Sequence, residues 1–251
     1  MDYLLVIVFG AIWGSFANVC IYRIPKNEGV IGGRSHCPNC KKKIEWFYNI
    51  PILSFIFLLG KCKNCKKQIN ILYIVVEAIS IVSFIIVYYY FSITLTTLLL
   101  MILSIFFIIV FFIDLKHFVI PNELTFPLMF IGFIKSFDPN LNANIFPNFI
   151  NSLIGGILGY LVIWSIIYFY KQVRKKEGMG LGDAKLMAVV GFWFGWFSIP
   201  FIIFIASVCA LLIVAPSLIN KSRKMSSEIP FGPYIIIATV IYVSFSDLLK
   251  F

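Results

Sequence analysis

The sequence predicts an all-α polytopic membrane protein, and three observations carry that prediction. Of 251 residues, 61% are hydrophobic and only 13% are charged, more apolar surface than a soluble domain of this length can hide. Apolar segments recur along the whole chain, at 3–22, 71–91, 93–113, 118–134, 148–170, 184–198, 199–219 and 230–249, which makes about eight candidate transmembrane helices. The basic residues, finally, fall almost entirely on one side of such an arrangement.

In chain order, the opening "MDYLLVIVFGAIWGSFANVCIYRIP" has neither a basic n-region nor a small-residue cleavage site, so it reads as a retained first helix rather than a removed signal peptide. The stretch "NIPILSFIFLLG" (49–60) is shorter than the roughly 17 residues needed to cross hydrocarbon, and it is expected at the interface or folded against the other helices. The third span ends at Asp114 and the fourth starts at or is kinked by Pro121. The sixth, opening at Asp183, is short and contains Gly191 and Gly195, which suits a tilted or partly buried helix. "EIPFGP" (228–233) caps the eighth, and this segment and Pro121 could each also line a site.

Counting Lys and Arg by loop settles what the formal charge of +10 means. Segment 22–70 holds ten, the turn after Asp114 holds Lys116, 171–185 holds five and 220–228 holds three, so 19 of 21 share one side. Only Lys135 and Lys250 lie on the other. By the positive-inside rule the crowded side is cytoplasmic and both termini are outside. The charge then reports topology, and a nucleic-acid partner is not expected.

Four of the six cysteines form two Cys-x-x-Cys knuckles, Cys37/Cys40 and Cys62/Cys65, separated by 21 residues on the basic side. Each knuckle can present two thiolates to one ion, and two of them complete a tetrahedral four-cysteine zinc site. Neighbouring lysines offset the charge of four thiolates. Four protein ligands leave no open position, so the metal is expected to be structural, stapling a loop with little core of its own. The competing reading is a pair of disulfides or free thiols, which a reducing cytoplasm disfavours. Cys20 and Cys209 lie inside apolar spans and read as small core residues.

A carboxylate at the hydrocarbon centre costs about 2.5 to 3.5 kcal/mol on insertion scales, so each acidic residue near a span needs a reason. Asp114, in "IVFFIDLKHFVIPNELTFP", and Asp183, in "GMGLGDAKL", both fall at cytoplasmic helix ends. Two such groups at one depth can share a proton and so supply an acid and a base together, enough to activate a water against a peptide carbonyl without a covalent intermediate. Gly178, Gly180 and Gly182 let a backbone approach an extended substrate. Taken alone, Asp183 could equally be a helix cap. Glu77 could pack or face a cavity, and His117 reads as a loop residue near the interface.

Together these motifs resemble the type IV prepilin peptidases, GxGD-type membrane aspartic proteases that also methylate the new N-terminus of their product. The resemblance rests on "GSFANVCIYRIP", the two knuckles flanking "NIPILS", "YIVVE", "DLKHFVIPNELT", "GMGLGDAKL" and "IPFGP". It implies that Asp114 and Asp183 are the catalytic pair and that Cys37, Cys40, Cys62 and Cys65 bind zinc. It also implies prepilin or pseudopilin substrates with a short basic leader cut after glycine, a multi-pass inner-membrane location, and S-adenosylmethionine-dependent methylation in the N-terminal half. The corresponding division is 1–92 with the zinc loop as the methyltransferase region and 93–251 as the peptidase domain. The chain departs from many relatives at Tyr48, where they carry an acidic residue, and at Leu72-Tyr73-Ile74, where they carry Arg-Tyr-Pro. Two other classes compete: a transporter or channel using intramembrane aspartates with a regulatory zinc loop, and an assembly factor that binds prepilins without cutting them.

Overall fold

The structure, a computed structural model, describes residues 2–32, 35–142, 145–175, 179–219 and 229–245. Of the residues named or counted above, Arg34, Lys176, Gly178, Lys221, Arg223, Lys224, Glu228 and Lys250 lie outside the described residues. Among the described residues the regular elements are all helices, with only isolated bridges, His36 to Lys43 and Lys61 to Gln68. Each apolar segment predicted above has its helix: α1 (Asp2–Arg23), α3 (Leu72–Phe91), α4 (Leu95–His117), α5 (Asn122–Lys135), α6 (Phe149–Arg174), α7 (Leu181–Phe194), α8 (Ser198–Ile219) and α9 (Gly232–Phe245). A further short helix, α2 (Leu53–Phe57), sits within the stretch expected at the interface.

Five of these, α1, α3, α4, α6 and α8, are long and apolar enough to cross a membrane. Helices α5, α7 and α9 have 14 residues each, about 21 Å at 1.5 Å per residue, against a hydrocarbon core of about 30 Å. The chain is therefore a multi-pass helical membrane protein in which short helices are packed among long ones.

The residues divide into two compact units, Met1–Ile109 and Val110–Phe251, with the boundary inside α4. In the first, α1 lies along α3. Gly10 and Gly14 allow this: a Cβ on Gly14 would stand 2.8 Å from the Glu77 Cα, and in lipid such close backbone approach is a main source of helix association. Asn18 then reaches across to donate to the Tyr73 carbonyl at 2.9 Å.

In the second unit α7 is the hub. It contacts α5, α6, α8 and α9, and its buried residues run from Asp183 to Phe194 and include Trp193, which has no exposed surface. Its tightest neighbour is α6. Gly155 and Gly191 place their backbones directly on one another, and a Cβ on Gly159 would meet the Met187 carbonyl oxygen at 2.5 Å. Gly195, at φ +81°, ends the helix in a conformation that side chains resist.

Lys135 has a different environment from the one expected of a loop charge. It is buried at the end of α5, donating to the Trp193 carbonyl at 3.0 Å with its ammonium 3.9 Å from the Phe146 ring centroid. The charge serves the carbonyl end of α7 and the face of an aromatic ring, both of which favour a cation.

The α6–α7 contact leaves no room for a side chain. Gly191→Ala should lower stability by about 1 to 3 kcal/mol or more, read as a drop in the thermal unfolding midpoint in detergent. Gly29→Ala, where the nearest atom to a new Cβ is 3.9 Å away, should leave the midpoint unchanged.

Candidate active site and metal-binding loop

Asp114 lies in the last turn of α4, which continues to His117, and is only 4% exposed. Its Oδ2 accepts a hydrogen bond from the backbone N–H of Gly232 at 3.0 Å. Gly232 starts α9, and a Cβ there would stand 2.7 Å from the same oxygen, so this position admits only hydrogen. The "IPFGP" segment is thus more than a helix cap, because its glycine N–H orients a buried carboxyl group.

Asp183 is 7% exposed in the first turn of α7. The helix-cap reading of this residue does not hold: the N-cap is Gly180, and no side chain caps the helix. Instead, Asp183 Oδ1 is buried without a hydrogen-bond partner among the described residues. Buried polar atoms are rarely left so, and those that are mark functional positions often enough to demand an explanation. Asp114 is near enough for its charge to act on Asp183.

What joins the two is Ile120. It is buried in the connection between α4 and α5, 2.9 Å from where a Cβ on Gly182 would lie and 3.1 Å from where one on Gly232 would lie. One isoleucine therefore packs against the glycine beside Asp183 and the glycine that holds Asp114. The turn that delivers it is tight, with Phe118 at φ +58° and its N–H donating to the Asp114 carbonyl at 2.9 Å. Pro121 begins α5 as its N-cap, and Lys185 donates to Asn122 Oδ1 at 2.6 Å, tying α7 to the start of α5. His117 is exposed at the end of α4.

In the first unit the two knuckles have the same backbone. In each, the second cysteine is followed by a lysine at φ +56°, Lys41 or Lys66, and the first cysteine's carbonyl accepts that lysine's N–H. They bring Cys37, Cys40, Cys62 and Cys65 together with all four sulfurs within 4.8 Å of one another. None is in a disulfide. The Cys37 and Cys65 sulfurs are 3.9 Å apart, close to the roughly 3.8 Å that tetrahedral bonds of about 2.3 Å impose.

The Cys65 backbone N–H helps hold the Cys62 thiol down at about 7. At Cys65 the Lys67 N–H also favours the thiolate, but desolvation and the other thiols outweigh it and push that group up to about 11. A divalent ion displaces such protons. The four-cysteine cluster can hold a metal ion.

Below the knuckles, Glu77 Oε2 accepts the Ile52 N–H at 2.8 Å, so Glu77 packs by satisfying a loop backbone group. Tyr48 lies under the Lys63 ammonium, 4.4 Å from its ring centroid, while Lys63 pairs with Glu45 at 3.7 Å. Cys20 is buried, as a core residue should be, and Cys209 is partly exposed.

Fold and site together define a class: multi-pass helical membrane proteins with a buried aspartate pair set among glycines, carrying a cysteine cluster after the first helix. Residues 101–215 match the Type IV leader peptidase family, and residues 8–91 match the Bacterial Peptidase A24 N-terminal domain. A prepilin leader peptidase/N-methyltransferase of Aeromonas hydrophila is 31% identical, covering 97% of this chain and 90% of its own. Proteins of the same name from Xanthomonas campestris pv. campestris (33% identical, 91% of this chain and 86% of its own) and Pseudomonas aeruginosa (30%, 97% and 90%) are similar throughout. No solved structure matches. The chain belongs to the prepilin leader peptidase/N-methyltransferase family.

The contact at Gly232 makes its own demand. Gly232→Ala should destabilise the protein by about 1 to 3 kcal/mol, because either Asp114 or the start of α9 must move; an unchanged unfolding midpoint would show that the contact is looser than the geometry here.

Proposed function

We propose that this protein is a membrane aspartic endopeptidase that removes the short basic leader of a prepilin or pseudopilin after glycine, on the cytoplasmic side of the inner membrane. The observation that carries the proposal is the buried pair Asp114 and Asp183, brought to one isoleucine by two glycines, with one carboxylate oxygen that has no hydrogen-bond partner among the described residues. Family membership supports it, and leaves the transporter reading without support. The excess of Lys and Arg in 22–70, with Lys116 and Lys185 beside the two aspartates, supports the cytoplasmic orientation.

In this mechanism the two carboxyl groups share one proton. The ionised member takes a proton from a water whose oxygen attacks the scissile carbonyl carbon, while the protonated member hydrogen-bonds the carbonyl oxygen as it gains charge. When the carbon–nitrogen bond breaks, the proton taken from water passes to the leaving amine. Gly232 keeps Asp114 in one orientation, and the unbonded Asp183 Oδ1 is an acceptor available to the water. Gly180, exposed before α7, presents backbone without a side chain to an extended substrate.

The second activity in the relatives' name is N-methylation of the freed amine, and we assign it to residues 1–92. Its donor is S-adenosylmethionine, which supplies an electrophilic methyl group. The buried polar side chains of this region are engaged within the fold, Asn18 with Tyr73, Arg23 with Gly29 and Gly32, and Glu77 with Ile52. No residue is assigned to the donor. For the cysteine cluster, zinc is the metal that four thiolates at tetrahedral spacing suit, in a closed and therefore structural site.

Asp114→Asn and Asp183→Asn should each reduce cleavage of a coexpressed prepilin by about 10²- to 10⁴-fold or more, followed by gel shift and mass of the product; processing at the wild-type rate in either variant would end the proteolytic reading. The cleavage rate of the wild type should fall at both low and high pH, because acid protonates the base and alkali strips the acid. Purified protein should contain about one zinc per chain, lost in Cys62→Ser together with the loop's resistance to protease, whereas metal-free protein with two disulfides would overturn both the zinc assignment and the cytoplasmic placement.

A further inference from the structure

The loop between α1 and α3 carries an apolar surface that the first unit leaves exposed. On and after α2, Leu53 is 51% exposed, Ile56 58%, Phe57 81% and Leu59 85%, although α2 is only five residues long. Large hydrophobic residues grouped this way mark a contact with something apolar.

The backbone shows at what level this surface sits. Glu77, whose carboxylate accepts the Ile52 N–H at 2.8 Å, is the sixth residue of α3. Five residues of rise put it about 7.5 Å below the first residue of that helix. Helix α3 is one of those long and apolar enough to cross a membrane. Ile52 is held there at φ +59°, in a conformation β-branched residues avoid, so the attachment resists the chain's own preference. Leu58, Leu59 and Gly60 then turn back, and Lys61 starts the second knuckle.

The chain runs on from the apolar group into Lys61, Lys63, Lys66 and Lys67, all exposed, with Lys41, Lys42 and Lys43 exposed on the first knuckle. Of these, Lys63 pairs with Glu45, the single ion pair among the described residues. An apolar ledge tied to a spanning helix below its first residue, and followed in the chain by exposed lysines, has the order of chemistry found across one leaflet: hydrocarbon, then anionic headgroups.

We propose that residues 53–67 form an interfacial anchor, in which Ile56, Phe57 and Leu59 enter the hydrocarbon edge and the second knuckle's lysines bind the headgroups of anionic phospholipids. The metal cluster and the Glu77–Ile52 hydrogen bond hold the two halves of the anchor in register. The knuckles are thus a membrane-facing device as well as a staple, and their seating depends on lipid charge.

The test uses the full-length, metal-loaded protein in nanodiscs of phosphatidylcholine, with or without phosphatidylglycerol, and a photoreactive benzoylphenylalanine placed at position 57, 59 or, as a control, 64. Positions 57 and 59 should give lipid adducts by mass spectrometry, and position 64 should not. The ratio of phosphatidylglycerol to phosphatidylcholine in the adducts should exceed that of the bilayer by at least about five-fold, what a single lysine at an anionic surface contributes. The enrichment should vanish in Lys61→Gln/Lys63→Gln/Lys66→Gln/Lys67→Gln protein that retains its metal. Adducts at 57 no more frequent than at 64, or adducts to a second protein chain instead, would overturn the anchor; adducts without phosphatidylglycerol enrichment would overturn its charge recognition.

Discussion

The second unit depends on one constraint: two carboxyl groups are buried in a helical framework whose surroundings offer them few partners. Burial of such groups is costly unless each is held or used. Asp114 is held by the Gly232 N–H, and Asp183 is left with an oxygen that nothing described holds. The rest follows from making this arrangement rigid. Helix α7 is enclosed by α5, α6, α8 and α9, Gly155 and Gly191 bring α6 within backbone contact, and Lys135 closes the far end of α7 by binding the Trp193 carbonyl.

The first unit solves a different problem. Between α1 and α3 the chain runs through a segment rich in lysine, with too few apolar residues turned inward to fold on its own. Four sulfurs at metal-binding distance take the place of a core, and Glu77 ties the segment to α3. The apolar residues of α2 are then free to face outward, which a loop folded by hydrophobic burial could not permit.

Much of this was legible in the residues. Hydropathy located the long helices α1, α3, α4, α6 and α8, because a span must carry about twenty apolar residues whatever its neighbours do, and the knuckle spacing located the sulfur cluster, because the ligand geometry of a tight turn is local. Gly232 was harder to see. Before an apolar span a glycine between phenylalanine and proline looks like a terminator, and only the approach of Asp114 gives it a partner 118 positions away. Asp183 looked equally like a cap, since first-turn carboxylates usually are, until Gly180 was found in that role. Lys135 looked like a loop charge, because sequence shows where a helix ends and not whether its end is covered.

By itself, then, the sequence determined the class of protein, the place of its apolar segments and the four cysteines that meet. These are properties of local composition and short-range geometry. Only the tertiary structure decided that Ile120 packs beside both Gly182 and Gly232, that Gly232 orients Asp114 and that α7 is central while α2 is exposed. Those facts belong to packing between distant segments, where a missing Cβ or a single N–H, invisible in hydropathy, sets which surfaces can touch.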